Sequence, residues 1–546
     1  MSFDKMLAYL LIYKELIWWG GKKMEKKYRL VALVLICLFT AFIFLGCGGG
    51  NEQVEPVDEE KIFIIARSND AGTLDAGYGY SESEIDLVYH LYEGLVQFVD
   101  DDLNVGPALA ETWDVSEDGK VWTFNLRQGV KFHDGTDFNA DAVVFSFMRV
   151  LDESHPYYGL GDYSYFDYLL SEAVNDVKAI DEFTVEVTLN DVFAPFLTYM
   201  GLYSQFIGSP TAVEKYGEEY FKNPVGTGPF MLEEWKRDEY IKITKFEDYW
   251  GSKPEMDTII WKVVPEGSTR LMELQSGQVH AIKNIMPEQV ATITNDDSLE
   301  LIRVPGANLF YIVLNHQAEP IDNLKVRQAI SHAIDFDKLV DGIYEGLGTR
   351  AINPMPSTIY GFNNDIKPYA YDPDKAKELL AEAGYADGFD MDIHVFSGAR
   401  TYVGRPVDAA EVMADDLNKI GIKATVVVNE WGSHKTVLDN FDHQFGLIGW
   451  FDVPYPSNFL KVMLLEGART NYHSEELVDL ANKALSSYDR AEQEKYYQEI
   501  QLKVHEDVII IPIAHSDYTA AISKNVKGFR IDAIGNALIH NVTLEN

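Results

Sequence analysis

At Gly449–Leu460 the chain reads GWFDVPYPSNFL, and a single carboxylate, Asp452, stands among Trp450, Phe451 and Tyr455. A lone acid ringed by aromatic faces is suited to a cationic group, by ion pairing to the carboxylate and by attraction to the ring faces. The competing reading makes Asp452 the cap of a turn. Nucleophilic and metal chemistry find less support. There is no G-x-S-x-G elbow and no H-E-x-x-H pair, and His133-Asp134 reads as part of a hairpin turn. The two cysteines, Cys37 and Cys47, lie in the first 47 residues, and the 499 residues that follow contain none. A disulfide framework or a cysteine zinc site in the body is therefore excluded, and neither an enzyme nor a resident metal or cofactor is expected.

The element that must hold this stretch is Phe445–Trp450, an apolar run that predicts a buried strand. Pro454 and Pro456 end it, because proline cannot donate to a sheet ladder. Further strands are predicted at Ile62–Ala66, Phe183–Leu189, Ile241–Phe246, Thr258–Val264, Asp390–Phe396 and Val508–Ile513, with a hairpin within Trp113–Val130. The hairpin turn, Ser116-Glu117-Asp118-Gly119, superficially resembles a calcium loop but has Asn125 where a glutamate is needed. Helical apolar spacing marks Ile85–Val99, and a helix is predicted at Thr269–Gln275. Asp372-Pro373 starts another helix that Gly384 stops. Ser474 caps a further helix, and Asp489–Glu492 has the form of a capping box. Strands alternating with helices in the second half predict an α/β layer architecture.

Before this body comes an address. Lys22, Lys23, Lys26, Lys27 and Arg29 precede the uncharged run Leu30–Leu45, which reads as a secretory signal with Met24 as the expected start. At ~1.5 Å per residue this 16-residue core spans about 24 Å, short of the ~30 Å hydrocarbon layer. It ends in Phe44-Leu45-Gly46-Cys47, which resembles a bacterial lipobox with Cys47 as the lipid attachment; the competing reading is an uncleaved anchor with an incidental cysteine. Residues 47–59 read as a lipidated flexible tether. The net charge is −40, and removal of residues 1–46, with seven basic and three acidic side chains, leaves −44. Such an acidic body has no use for nucleic acid and weakly favours cationic partners.

Six collinear stretches carry a resemblance across nearly the whole body. They are the opening segment, Ala110–Gly135, Asn223–Trp250, Ser268–Val279, Lys325–Asp337 and Tyr371–Gly388. Together they resemble extracellular solute-binding protein family 5, the substrate-binding lipoproteins of oligopeptide, dipeptide and nickel ABC transporters. The resemblance implies an α/β, two-lobed periplasmic-binding-protein-like fold (class II, large peptide-binding type) with a third inserted domain. The implied boundaries are 60–105 with 226–318 and 515–546 for lobe I, 106–225 for the inserted domain, and 319–514 for lobe II. Ligand would be enclosed between the lobes by hinge closure.

By the same resemblance, the G-W-x-x-D motif of peptide-binding members supplies the aspartate that holds the ligand's α-ammonium. Gly449 and Trp450 match it, but the interval is one residue short. A gap placed before Asp452 puts it at the aspartate's position; otherwise Val453 falls there. In dipeptide-binding relatives an arginine after the strand Asp390–Phe396 holds the carboxylate. Arg400 falls there with Arg405 as the near alternative, and a solvated loop arginine is the bland reading. Tyr402, Tyr455 and Asp70 complete the implied ligand set.

The implied function is capture of short peptides by a monomer tethered to the outer face of the bacterial cytoplasmic membrane (periplasmic in a Gram-negative cell). Delivery would be to an ABC permease and ATPase complex. A closed cleft that excludes water must supply a counter-charge to each end of a peptide. Oligosaccharides, nickel chelates, haem and peptide sensing are the alternative readings.

Overall fold

The computed structural model describes residues 60–78, 81–99, 104–451, 453–462, 464–465 and 469–545, together with the short pair Trp18–Trp19 and Lys22–Lys23. Residues 1–59 and 60–546 are separate compact units. The expected signal, Cys47 and the tether fall outside the described residues, and so does Asp452.

A twelve-stranded mixed sheet dominates the second unit. In chain order its strands are β1 (Ile62–Arg67), β2 (Phe230–Lys236), β3 (Tyr240–Lys245), β4 (Thr258–Val263), β5 (Ala281–Lys283), β6 (Leu299–Pro305), β7 (Asn308–Leu314), β8 (Gly348–Arg350), β9 (Phe389–Phe396), β10 (Ile422–Asn429), β11 (Phe445–Phe451) and β12 (Ile510–Ser523). The path across the sheet is β2-β3-β4-β1-β5-β12-β7-β11-β9-β10, with β6 and β8 also paired to β12. Helices used below are α1 (Glu82–Leu91), α2 (Phe336–Tyr344), α3 (Pro373–Glu382), α4 (Trp431–Asp439), α5 (Glu475–Leu485) and α6 (Arg490–Glu506). The α/β expectation holds.

The sheet has two halves that share β12. Residues Asp517–Ser523 pair with β6, and residues Ile510–Ala514 pair with β7. Two antiparallel runs thus pass from one half to the other, β6 into β7 through Gly306-Ala307, and β12 through His515-Ser516. Central strands buried on both faces read as continuous apolar runs, and every residue of β7, NLFYIVL, is buried. Each half has its own apolar core, around Phe63, Ile243 and Trp261 in one and around Ile312, Ile393 and Leu447 in the other.

A separate antiparallel sheet of four strands, Ala110–Val115, Val121–Leu126, Thr184–Leu189 and Val174–Asp181, lies within residues 106–225. Its tight turn is closed by Gly119 N–H to Ser116 O at 2.9 Å, with Gly119 at φ +73°, and Ser116 Oγ donates to Asp118 Oδ1 at 2.6 Å. The core of this segment continues into that of α5 and α6. Ala194 N–H donates to Leu485 O at 2.8 Å and the Tyr488 hydroxyl to Gly119 O at 2.9 Å.

Most predicted helix signals are realised: Asp372 and Ser474 accept from Lys375 N–H and Leu477 N–H, and Gly384 has φ +92°. Three expectations need correction. The helix expected over Ile85–Val99 is Glu82–Leu91, because Ser81 and Glu84 form a capping box upstream, and Val96–Phe98 is a strand. At Asp489 the cap forms, but Glu492 accepts from Ser487 Oγ at 2.6 Å rather than closing a capping box. The strand expected to stop at Ile513 runs on to Ser523, since His515 and Ser516 pair with β8 and residues from Asp517 on pair with β6 on the far half.

Candidate functional site

Strand β11 places Gly449 and Trp450. In register, Phe451 lies opposite Asn308, Trp450 opposite Leu309 and Gly449 opposite Phe310, so the GW pair borders the crossing between the two half-sheets. Trp450 is half-buried, and its buried indole N–H has no acceptor among the described residues. Such an orphaned donor costs about 1–3 kcal/mol, which an acceptor brought by a ligand would recover. Phe451 is exposed and Val453 is buried on either side of Asp452.

Gly449 is required by Tyr402. A Cβ at position 449 would sit 2.1 Å from Cδ2 of the Tyr402 ring, inside any real contact. Tyr402 is 2% exposed, stacked on Phe310 at 6.2 Å between centroids and edge-on to Phe396 at 6.0 Å. Burial raises its hydroxyl well above the usual phenol range. Its carbonyl accepts from the Tyr344 hydroxyl of α2 at 2.7 Å.

Two residues earlier, Arg400 sits in a tight turn in which the backbone N–H groups of Arg400 and Val403 donate to each other's carbonyls at 2.8 and 2.9 Å. Its exposed guanidinium lies over the Trp431 ring at 4.0 Å. Stacking on an indole holds the guanidinium plane while leaving its N–H edge available for a bidentate carboxylate. Among the described residues no acid or carbonyl meets that edge. Arg405 is occupied differently: it donates to Gly342 O at 2.7 Å, Ile343 O at 2.8 Å and Glu345 Oε1 at 2.9 Å, which ties it to the end of α2.

The other expected residues lie apart from this group. Asp70 accepts from Trp235 Nε1 at 3.1 Å, Asp238 N–H at 2.9 Å and Ala71 N–H at 2.8 Å, so its carboxylate is engaged within the protein. Tyr455 is buried in a ring cluster with Tyr199 and Tyr360, and its hydroxyl accepts from Gln493 Nε2 at 3.2 Å. The structure thus brings Gly449, Trp450, Arg400 and Tyr402 to one side of the crossing. Trp431 joins them without a sequence signal beyond its place behind the cap Glu430.

A groove of about 710 Å³ lies elsewhere, among Asp134, Tyr216, Lys222 and Trp235, and contains none of the expected ligand residues. Its polar groups are already partnered: Asp134 accepts from Ser209 Oγ, Glu233 from Lys242 and Glu234 from Tyr240.

Comparison with known proteins is consistent with the crossing and its flanking halves. The model of bacterial extracellular solute-binding proteins, family 5 Middle, matches residues 104–471. The dipeptide-binding protein of Escherichia coli is 35% identical over 491 residues, covering 86% of this chain and 91% of that protein. Heme-binding protein A of Haemophilus influenzae is 36% identical over 479 residues, covering 83% and 87%. Among solved structures, HbpA2 from Haemophilus parasuis superposes with a TM-score of 0.84 at 32% identity, covering 89% of this chain and all of that one.

Proposed function

This chain belongs to the bacterial extracellular solute-binding proteins of family 5, the binding components of ABC importers, and from that premise we propose that it captures short peptides between its two lobes. The half-sheets joined at Gly306-Ala307 and His515-Ser516 are the cores of the lobes, with 106–225 as the inserted domain. Closure about the crossing would enclose the ligand.

The observation that carries the reading is the Arg400 guanidinium, over the Trp431 ring at 4.0 Å with its N–H edge free of any acid or carbonyl among the described residues. In a chain of net charge −40, a guanidinium with no acid on it among the described residues is a place for an anion from outside. The peptide's terminal carboxylate fits it, the Trp450 N–H faces an acceptor of the ligand, and Asp452 takes the α-ammonium. Tyr402 and Gly449 form the wall between them. Asp70 and Tyr455 are engaged within the protein, apart from this site.

Upstream, Cys47 carries the lipid and residues 47–59 the tether, which keeps the protein at the outer face of the membrane beside its permease and ATPase. A second reading is favoured by the similarity to heme-binding protein A: a ligand with carboxylates and no ammonium, which would use Arg400 and leave Asp452 idle. Titration calorimetry with a dipeptide, its N-acetylated form and its C-terminally amidated form separates the two. Strong binding of the free dipeptide with loss on either modification supports peptide capture. Absence of dipeptide binding overturns it.

A further inference from the structure

The crossing between the half-sheets is built on one side chain. Asn308 is fully buried, and its amide takes the place of a peptide group in the ladder: Nδ2 donates to Ser516 O at 3.0 Å and Oδ1 accepts from Ser516 N–H at 2.9 Å. Gly306 N–H donates to the same Ser516 carbonyl at 3.1 Å, and a Cβ on Gly306 would sit 2.2 Å from Asn308 Nδ2. The Asn308 carbonyl accepts from His515 Nδ1 at 2.6 Å. Ser516, on one of the two runs that pass between the halves, is therefore fixed by the other, through Gly306 and Asn308.

Its hydroxyl then reaches outward. Ser516 Oγ donates to Thr401 O at 2.6 Å, the shorter of its two acceptor distances, the other being Asn308 Oδ1 at 3.2 Å. The next carbonyl of that segment, Tyr402 O, accepts from the Tyr344 hydroxyl at 2.7 Å. Two buried hydroxyls thus grip consecutive carbonyls of the turn whose side chains are Arg400, over Trp431, and Tyr402, over Gly449. Gly348 makes room for this grip, since a Cβ there would lie 2.6 Å from the Tyr344 ring.

We infer that Ser516 is a positioning residue, which links the crossing strand to the Arg400–Tyr402 turn so that the setting of the lobes and the aim of the guanidinium are coupled. A hydroxyl on the crossing strand that bonds a ligand-site carbonyl moves with the strand, and the bond from the buried Ser516 hydroxyl to Thr401 O holds the turn in step. The inference rests on the assignment of Arg400 to the ligand carboxylate.

Hydrogen exchange of the ligand-free protein and calorimetry with a dipeptide test it together. In Ser516→Ala the Arg400 and Val403 amides, which bond across the turn, should exchange about tenfold faster. In Ser516→Thr, which keeps the hydroxyl, they should match the natural protein. Tyr344→Phe, acting on the neighbouring carbonyl, should raise exchange in the same segment. Ser516→Ala should bind a free dipeptide about tenfold more weakly, yet bind the amidated dipeptide as the natural protein does, because the residue acts through Arg400. Equal losses for the two ligands, or unchanged exchange in Ser516→Ala, would overturn the coupling. If the natural protein binds no dipeptide, the peptide reading fails by itself, and the exchange comparison still decides whether Ser516 holds the turn.

Discussion

The Tyr402 ring lies on Gly449 so closely that a single methyl group on the glycine would stand 2.1 Å from the ring carbon Cδ2. Tyr402 cannot retreat, because Phe310 and Phe396 flank it and its backbone is gripped through Tyr344.

Gly449→Ala should accordingly destabilise the protein by about 1–3 kcal/mol, the usual cost of overpacking a core contact. Urea denaturation measures it. Adding Tyr402→Leu should return part of the loss, so that the two changes combine by less than their sum. Strict additivity would show that the ring and the glycine do not meet.

Arg400→Gln should weaken binding of a free dipeptide by tenfold or more, about 1.4 kcal/mol, and leave an amidated dipeptide unaffected. Arg405→Gln should instead lower stability by releasing the end of α2, without distinguishing the two ligands. Calorimetry with both peptides reads the contrast, and a reversed pattern would move the carboxylate site to Arg405.

Asp452→Ala should weaken peptide binding at least ten-fold, again about 1.4 kcal/mol, and the loss should vanish for N-acetylated peptides. An unchanged affinity removes Asp452 from the site.

Glu93 offers a pH test away from the ligand. It is half-buried, and although Trp250 Nε1, Thr227 Oγ1 and Tyr249 OH donate to it at 2.7, 2.8 and 2.9 Å, desolvation dominates and pushes its carboxyl up to about 7 from an ordinary 4.5. A raised acid binds its proton more tightly in the folded state, so folding stability falls as pH rises from about 4.5 to about 7. The integrated effect is on the order of 3 kcal/mol. Glu93→Gln should flatten this part of the stability–pH curve. Parallel curves for the two proteins would rule out an ionisation at Glu93.

How far the sequence disclosed this molecule depends on how local each signal was. Asp372-Pro373 and Gly384 mark the ends of α3 within a dozen residues, and Ser474 marks the start of α5, because capping is chemistry between near neighbours. The full length of β12 was hidden. The apolar run ends at Ile513, and the polar residues after it are in strand only because β6 and β8 lie alongside. Asn308 reads as a turn residue before an apolar run, yet it is buried against Ser516, 208 positions away. Asp70 looked available until Trp235, 165 residues further on, took up its carboxylate. The sequence favoured Arg400 and kept Arg405 as the near alternative, and what separates them in the structure is Glu345 and two carbonyls at the end of a distant helix, which occupy Arg405.

The place of β12 has a consequence for the order in which this chain acquires its shape. It comes after every other strand of the large sheet, yet it lies at the sheet's centre, pairing with β5 and β6 on one side of the crossing and with β7 and β8 on the other. A chain emerging from a ribosome can build its hairpins and helices early, but neither half-sheet can close until residues 510–523 have appeared. Until then the edges of β5 and β7 stay unpaired, open to chaperones and to aggregation alike. A topology that postpones its central strand keeps the nascent chain from locking prematurely.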